Sequence, residues 1–95
     1  MPSYVVLGKF TEQGIKGIKE TTKRAQGLRD AANAMGVTVK DIHWTLGRYD
    51  VVLTLEGQEK DAAALALKVA SMGNLKLETL RAFTAPEMDT FLARV

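Results

Sequence analysis

Apolar positions along the chain change period several times, and each change marks an element. Residues 3–10, Ser-Tyr-Val-Val-Leu-Gly-Lys-Phe, are largely β-branched or aromatic, with apolar groups at both parities, the pattern of a strand buried on both faces. Residues 11–20 carry Gly14 and Gly17 and read as a loop or a short helical turn. From Thr21 or Thr22, either suited to an N-cap, Ala25, Leu28, Ala32 and Met35 follow at steps of three, four and three. This spacing predicts an amphipathic helix ended by Gly36. Residues 37–46 and 51–55 read as two strands joined by Gly47-Arg48-Tyr49-Asp50, an antiparallel hairpin. A second helix over 58–72 places Ala62, Leu65, Ala66, Val69 and Met72 on one face and stops at Gly73-Asn74. Residues 75–83 form a fourth strand. Thr84-Ala85-Pro86-Glu87 then matches a capping box with a first-turn proline, opening a helix striped by Met88, Phe91 and Leu92.

The order is βαββαβ with a closing helix, and the two halves echo each other. Val37, Val39, Ile42 and Trp44 recur 38 residues later as Leu75, Leu77, Leu80 and Ala82. In both strands the apolar parity switches midway, which predicts a β-bulge or bend in each. Both preceding helices end in Met-Gly, at Met35-Gly36 and Met72-Gly73, and these methionines read as core. Pseudo-symmetric βαβ halves joined by a hairpin give an α+β, ferredoxin-like fold with a four-stranded antiparallel sheet. Right-handed crossovers place strands 1 and 3 in the centre. Both long helices then cover one sheet face, yet strand 1 offers Val5 and Leu7 to one face and Tyr4, Val6 and Phe10 to the other. An apolar face left open is an interaction surface, and a second copy of the chain is its expected cover.

Composition narrows the partners. The 95 residues, 46% hydrophobic and 25% charged, are expected to form one domain over 1–95. A domain of this size buries only about 60–65% of its unfolded surface. With no cysteine and one histidine, neither disulfides nor a structural zinc reinforce it, and no cofactor is expected. No apolar run approaches the roughly 20 residues that cross a bilayer, and Met1-Pro2-Ser3-Tyr4 does not open a secretory signal, so a cytoplasmic location is expected. The net charge of +2 is too small for a nucleic-acid footprint. Lys16, Lys19, Lys23, Arg24 and Arg29 against Glu20 give a local excess that reads as the solvated face of a helix. No aromatic residue interleaves with them to stack bases, so nucleic acid is not the expected partner.

Candidate chemistry gathers near the hairpin. His43 could act as a general base near neutral pH, oriented by Tyr49 or Asp50; the plainer reading is an edge or interface histidine. By parity it points away from Ile42 and Trp44. Gly47 and Asp50 suit pure turn chemistry. Yet Arg48 for an anion, Tyr49 as a stacking or phenolic group and Asp50 as acceptor lie beside Trp44, in a chain with only six aromatic residues. Arg81 and Thr79, expected to face inward from the fourth strand, would complete a polar patch. The alanine face from Ala62 to Ala70 reads as close helix packing. Phosphate loops, dinucleotide fingerprints and nucleophile elbows are missing.

Three stretches also resemble a known family. Tyr4-Val5-Val6-Leu7-Gly8-Lys9-Phe10-Thr11-Glu12-Gln13-Gly14-Ile15, Trp44-Thr45-Leu46-Gly47-Arg48-Tyr49-Asp50-Val51-Val52 and Glu78-Thr79-Leu80-Arg81-Ala82-Phe83-Thr84 resemble the GYD family of small bacterial and archaeal proteins. Its naming tripeptide is interrupted here by Arg48. The resemblance implies a ferredoxin-like fold of the kind that assembles as dimeric α/β barrels or larger rings, and it carries no catalytic residues with it. The expected function is a homo-oligomeric small-molecule-binding or regulatory protein, with the ligand near Trp44, Arg48, Tyr49, Asp50 and Arg81. The alternative is a cofactor-independent dimeric α/β-barrel enzyme, monooxygenase- or isomerase-like, with His43 as base.

Overall fold

In the first strand, Ser3–Phe10 (β1), burial alternates: Tyr4, Val6 and Gly8 are buried, and Val5 and Leu7 between them are half-buried. A computed structural model describes residues 1–95. After β1 come a short helix Glu12–Lys16 (α1) and a 3₁₀ turn Ile18–Glu20, which runs directly into Thr21–Ala34 (α2). Thr38–Trp44 (β2), Val51–Glu56 (β3), Glu59–Ser71 (α3), Leu75–Ala82 (β4) and Ala85–Leu92 (α4) complete the chain. The strands form one antiparallel sheet in the order β2-β3-β1-β4, the ferredoxin-like arrangement, with the two most apolar strands in the centre.

Register assigns each side chain to a face. Tyr4 pairs with Leu55, Val6 with Leu53 and Gly8 with Val51, and these residues face α2 and α3. Ala32 of α2 and Ala62 and Leu65 of α3 close the core over them, each at most 2% exposed. Val5, Leu7, Val52 and Thr54 occupy the other face, which no helix covers.

Three local expectations change. Helix α2 has no side-chain N-cap: Glu20 precedes it, and the Thr21 hydroxyl instead accepts from Trp44 Nε1 at 3.0 Å. Its other end is a full Schellman closure, with Gly36 at φ +79°. Val37 N–H donates to the Ala32 carbonyl and Gly36 N–H to the Asn33 carbonyl. This holds Val37 out of β2, which starts at Thr38. Finally, the expected bulge exists in β2, between Val39 and Asp41, but β4 pairs with β1 without interruption from Ala82 to Leu75. Leu80 therefore stays on the open face, opposite Val5, while Leu75 and Leu77 pack on the helix side. The parity switch in β4 reflects a strand with apolar residues on both faces. The bulge in β2 is held by Arg29, which donates to the Val39 carbonyl at 3.1 Å.

The turn between α3 and β4 is bound to the start of α1. Thr11 N–H donates to the Asn74 carbonyl and the Thr11 hydroxyl to the Gly73 carbonyl, while the Thr11 hydroxyl oxygen also accepts from Gly14 N–H. Gly14 is buried so closely that a Cβ there would collide with the Asn74 carbonyl oxygen. Gly27, exposed in the interior of α2, has nothing within 4 Å of a Cβ. Denaturant unfolding should therefore separate the two glycines. Gly14→Ala is expected to lower stability by about 2 kcal/mol, and Gly27→Ala to raise it by about 0.5–1 kcal/mol.

Candidate functional site

The β2–β3 hairpin is built on its own backbone. Thr45 N–H donates to the Asp50 carbonyl at 2.8 Å and its hydroxyl to the Tyr49 carbonyl at 2.6 Å. Gly47 turns the chain at φ +122°, a conformation that side chains disfavour. Asp50 extends the β1–β3 ladder: its N–H donates to the Gly8 carbonyl, and its Oδ2 accepts from Phe10 N–H at 2.9 Å. The carboxylate thus stands where a ladder carbonyl would otherwise be needed. Asp50 is part of the sheet's frame.

With Asp50 fixed, Tyr49 leans over the open face and donates to Glu78 Oε1 at 3.4 Å. Leu7, Lys9, Arg48, Lys76 and Glu78 surround it in a shallow hollow of about 220 Å³. Lys9, Lys76 and Glu78 were not singled out by the sequence reading. Their signal is the alternation Leu75-Lys76-Leu77-Glu78, which puts both charges opposite the core, and the pairing of Lys9 with Lys76 and Leu7 with Glu78 brings them together. His43 joins the same face from β2, paired with Val52. Trp44, its neighbour, points to the helix side as parity requires.

Arg81 lies elsewhere. Because β4 has no bulge, Thr79 and Arg81 share the helix side with Leu77, paired with Val6 and Tyr4. Arg81 is four residues along β1 from the Gly8 end, about 13 Å from the hairpin. Its guanidinium stacks 4.5 Å over Phe83 and 5.6 Å over Tyr4, and it donates to the Ser3 carbonyl at 3.1 Å. Arg81 also donates to the Ala82 carbonyl and approaches Glu87 at 3.8 Å. Phe83 meets Phe91 edge to face at 4.9 Å. Together these contacts root α4, whose capping box is complete: Thr84 N–H donates to Glu87 and Glu87 N–H to the Thr84 hydroxyl. The Thr84 backbone amide, then the Thr84 hydroxyl and Arg81, hold the Glu87 carboxyl below its usual range.

A second hollow opens on the helix side. Between α2 and α3, over Val6, Leu53 and Leu55, lies an apolar cleft of about 280 Å³. Of the α3 alanine face expected to pack helix against helix, Ala62 is buried in the core, whereas Ala66 borders the cleft together with Ala25 and Ala31 of α2. Met72, expected in the core, is 55% exposed at its rim. Arg24 and Arg29 of the basic run also turn inward, so that run is not one solvated face.

Two outcomes follow from this geometry. Asp50→Ala is expected to lower unfolding free energy by about 2 kcal/mol, since it strips a charged acceptor from Phe10 N–H; Tyr49→Phe should change it by less than about 0.5 kcal/mol. The Glu87 contribution to α4 is complete above the ordinary glutamate range, about 4.3, and is lost as pH falls through the lowered value. Thr84 and Glu87 amide resonances should report that transition in acid, and Glu87→Gln should abolish it.

A family model described as the GYD domain matches residues 4–92, nearly the whole chain. No curated protein and no solved structure matches it.

Proposed function

Given that the chain belongs to the GYD domain family, we propose that it works as a homo-oligomeric, small-molecule-binding or regulatory protein of the cytoplasm, its copies joined through the open sheet face. The observation that carries this reading is the composition of that face. Val5, Leu7, Val52 and Leu80 form its centre, half-buried or exposed, with no helix over them. Around them Lys9, Lys40, Arg48 and Lys76 stand among Asp41, Glu56 and Glu78, with Lys40 and Glu56 paired at 3.3 Å. An apolar stripe framed by charges of both signs offers a second copy both attractive partners and apolar area, as an isologous contact requires.

Area supports a second copy as the cover. Four strands of about eight residues present roughly 19 by 26 Å, near 500 Å². Standard interfaces bury about 800 Å² per partner, and α4 can supply the difference. It buries none of its own residues, and Met88, Phe91 and Leu92 are 43–55% exposed. The radius of gyration is 14.3 Å, against roughly 12 Å for a compact chain of this length. A helix with a complete cap, a rigid root and an apolar stripe facing solvent is suited to clasp a neighbour. Such a contact would close the Tyr49 hollow, making Arg48, Lys9 and Lys76 its anion-binding side and Tyr49 with Glu78 its hydrogen-bonding side. His43 belongs to the same surface and would lie at the contact.

Light scattering at micromolar concentration should give a mass of at least two chains. Val52→Glu and Leu80→Glu should each reduce it to one chain with the circular dichroism spectrum unchanged, whereas a wild-type monomer would remove the reading.

A further inference from the structure

The apolar cleft between α2 and α3 carries a cation that nothing in the chain satisfies. Its polar side chains are Thr21, Arg24, Lys68 and Asn74, with the Trp44 indole at the edge. Thr21 accepts from Trp44, and Asn74 Oδ1 accepts from Gln13 Nε2 at 2.9 Å, so both are already engaged. Arg24 is different: its guanidinium is folded over Gly17, where a Cβ would collide with it, and its Nη1 is buried without a hydrogen-bond partner. A buried guanidinium nitrogen without an acceptor is costly and rare. No carboxylate lines the cleft to serve it.

Topology puts the two cations at one end. Helices α2 and α3 follow the antiparallel strands β1 and β3, so they run in opposite directions. Arg24 in the first turn of α2 and Lys68 in the last turn of α3 therefore both lie toward the sheet end where Phe10 pairs with Leu75. Leu55, paired with Tyr4, marks the opposite, wholly apolar end. The cleft is thus charged at one end and greasy at the other, and its alanine walls leave room for a slim body only. At roughly 30 Å³ per water-sized group, its volume holds about nine such groups.

We infer that this cleft binds a monocarboxylate with an unbranched apolar tail of about eight carbons, its carboxylate on Arg24 and its tail between the helices over Val6 and Leu55. Lys68 supplies the second positive charge. Turned from Gly17 toward the cleft, the Arg24 guanidinium would form a charge-assisted pair that gives the orphan Nη1 its acceptor, and the tail would fill space where the lining side chains now lack packing partners. This site lies on the covered side of the sheet, opposite the surface proposed for association, so either can fail without the other.

Octanoate is the direct probe. Trp44 is the only tryptophan of the chain and borders the cleft, so its emission reports occupancy. Octanoate should shift that emission saturably, with a Kd below about 1 mM, and should move the amide resonances of Arg24, Leu28 and Val69. Arg24→Met, which keeps most of the stem, should weaken octanoate by about tenfold or more, and 1-octanol should bind the wild type at least as weakly as octanoate binds that variant. Ala66→Phe should fill the cleft and abolish the response. Equal binding of octanol and octanoate, no saturation up to about 10 mM, or resonance shifts confined to the open sheet face would overturn the assignment. The octanol comparison uses the unaltered chain, so it decides the matter even if a variant fails to fold.

Discussion

The uninterrupted pairing of β1 with both neighbours governs the rest of the molecule. Because β1 is apolar at both parities and pairs regularly with β3 and β4, its two sets of side chains must go to two different faces. One set, Tyr4, Val6 and Phe10, is taken up by the helix layer. The other, Val5 and Leu7, is covered by no helix of the chain. A slip of one residue would exchange the sets without removing the imbalance, so a partly uncovered apolar face is intrinsic to this strand.

The same register distributes the chemistry. Neighbouring His43 and Trp44 cannot share a site, because alternate residues of β2 face opposite sides. The unbroken β4 sends Arg81 to the helix side, where it stacks on Tyr4 and Phe83 and roots α4, and sends Glu78 and Leu80 to the open side. The hairpin is shaped by ladder completion: Asp50 binds Phe10 N–H through its carboxylate and leaves Arg48 and Tyr49 to face outward. The result is two hollows of different character, a polar one at the open face and an apolar one between the helices. Each is bordered by residues whose neighbours in sequence serve the other side of the sheet.

Much of this was legible in the chain. The βαββαβ order, the strand positions in the sheet, the Gly36 and Gly73 stops and the Thr84–Glu87 capping box all rest on local patterns, and local patterns survive folding. The misreadings arose where a pattern has two physical solutions. A mid-strand parity switch can be a bulge, as in β2, or two apolar faces, as in β4, and only the partner strand decides. An alanine face can mean close helix packing or an unfilled gap, depending on how far apart the helices are held by the sheet. Arg24 looked like one of five solvated cations, though its place three residues after Thr21 and four before Leu28 puts it on the border of the buried stripe. Its burial depends on Gly17, a contact across the 3₁₀ turn that periodicity does not reveal.

In the association proposed above, the second set of β1 side chains becomes core by meeting another copy of the chain. Isotope-filtered nuclear Overhauser spectroscopy on a mixture of labelled and unlabelled protein observes that contact. Intermolecular contacts are expected among the methyl groups of Val5, Leu7, Val52 and Leu80, joined by Met88 and Leu92 of α4. Intermolecular contacts confined to α2 and α3, or none at concentrations where the methyl groups are fully resolved, would contradict that association.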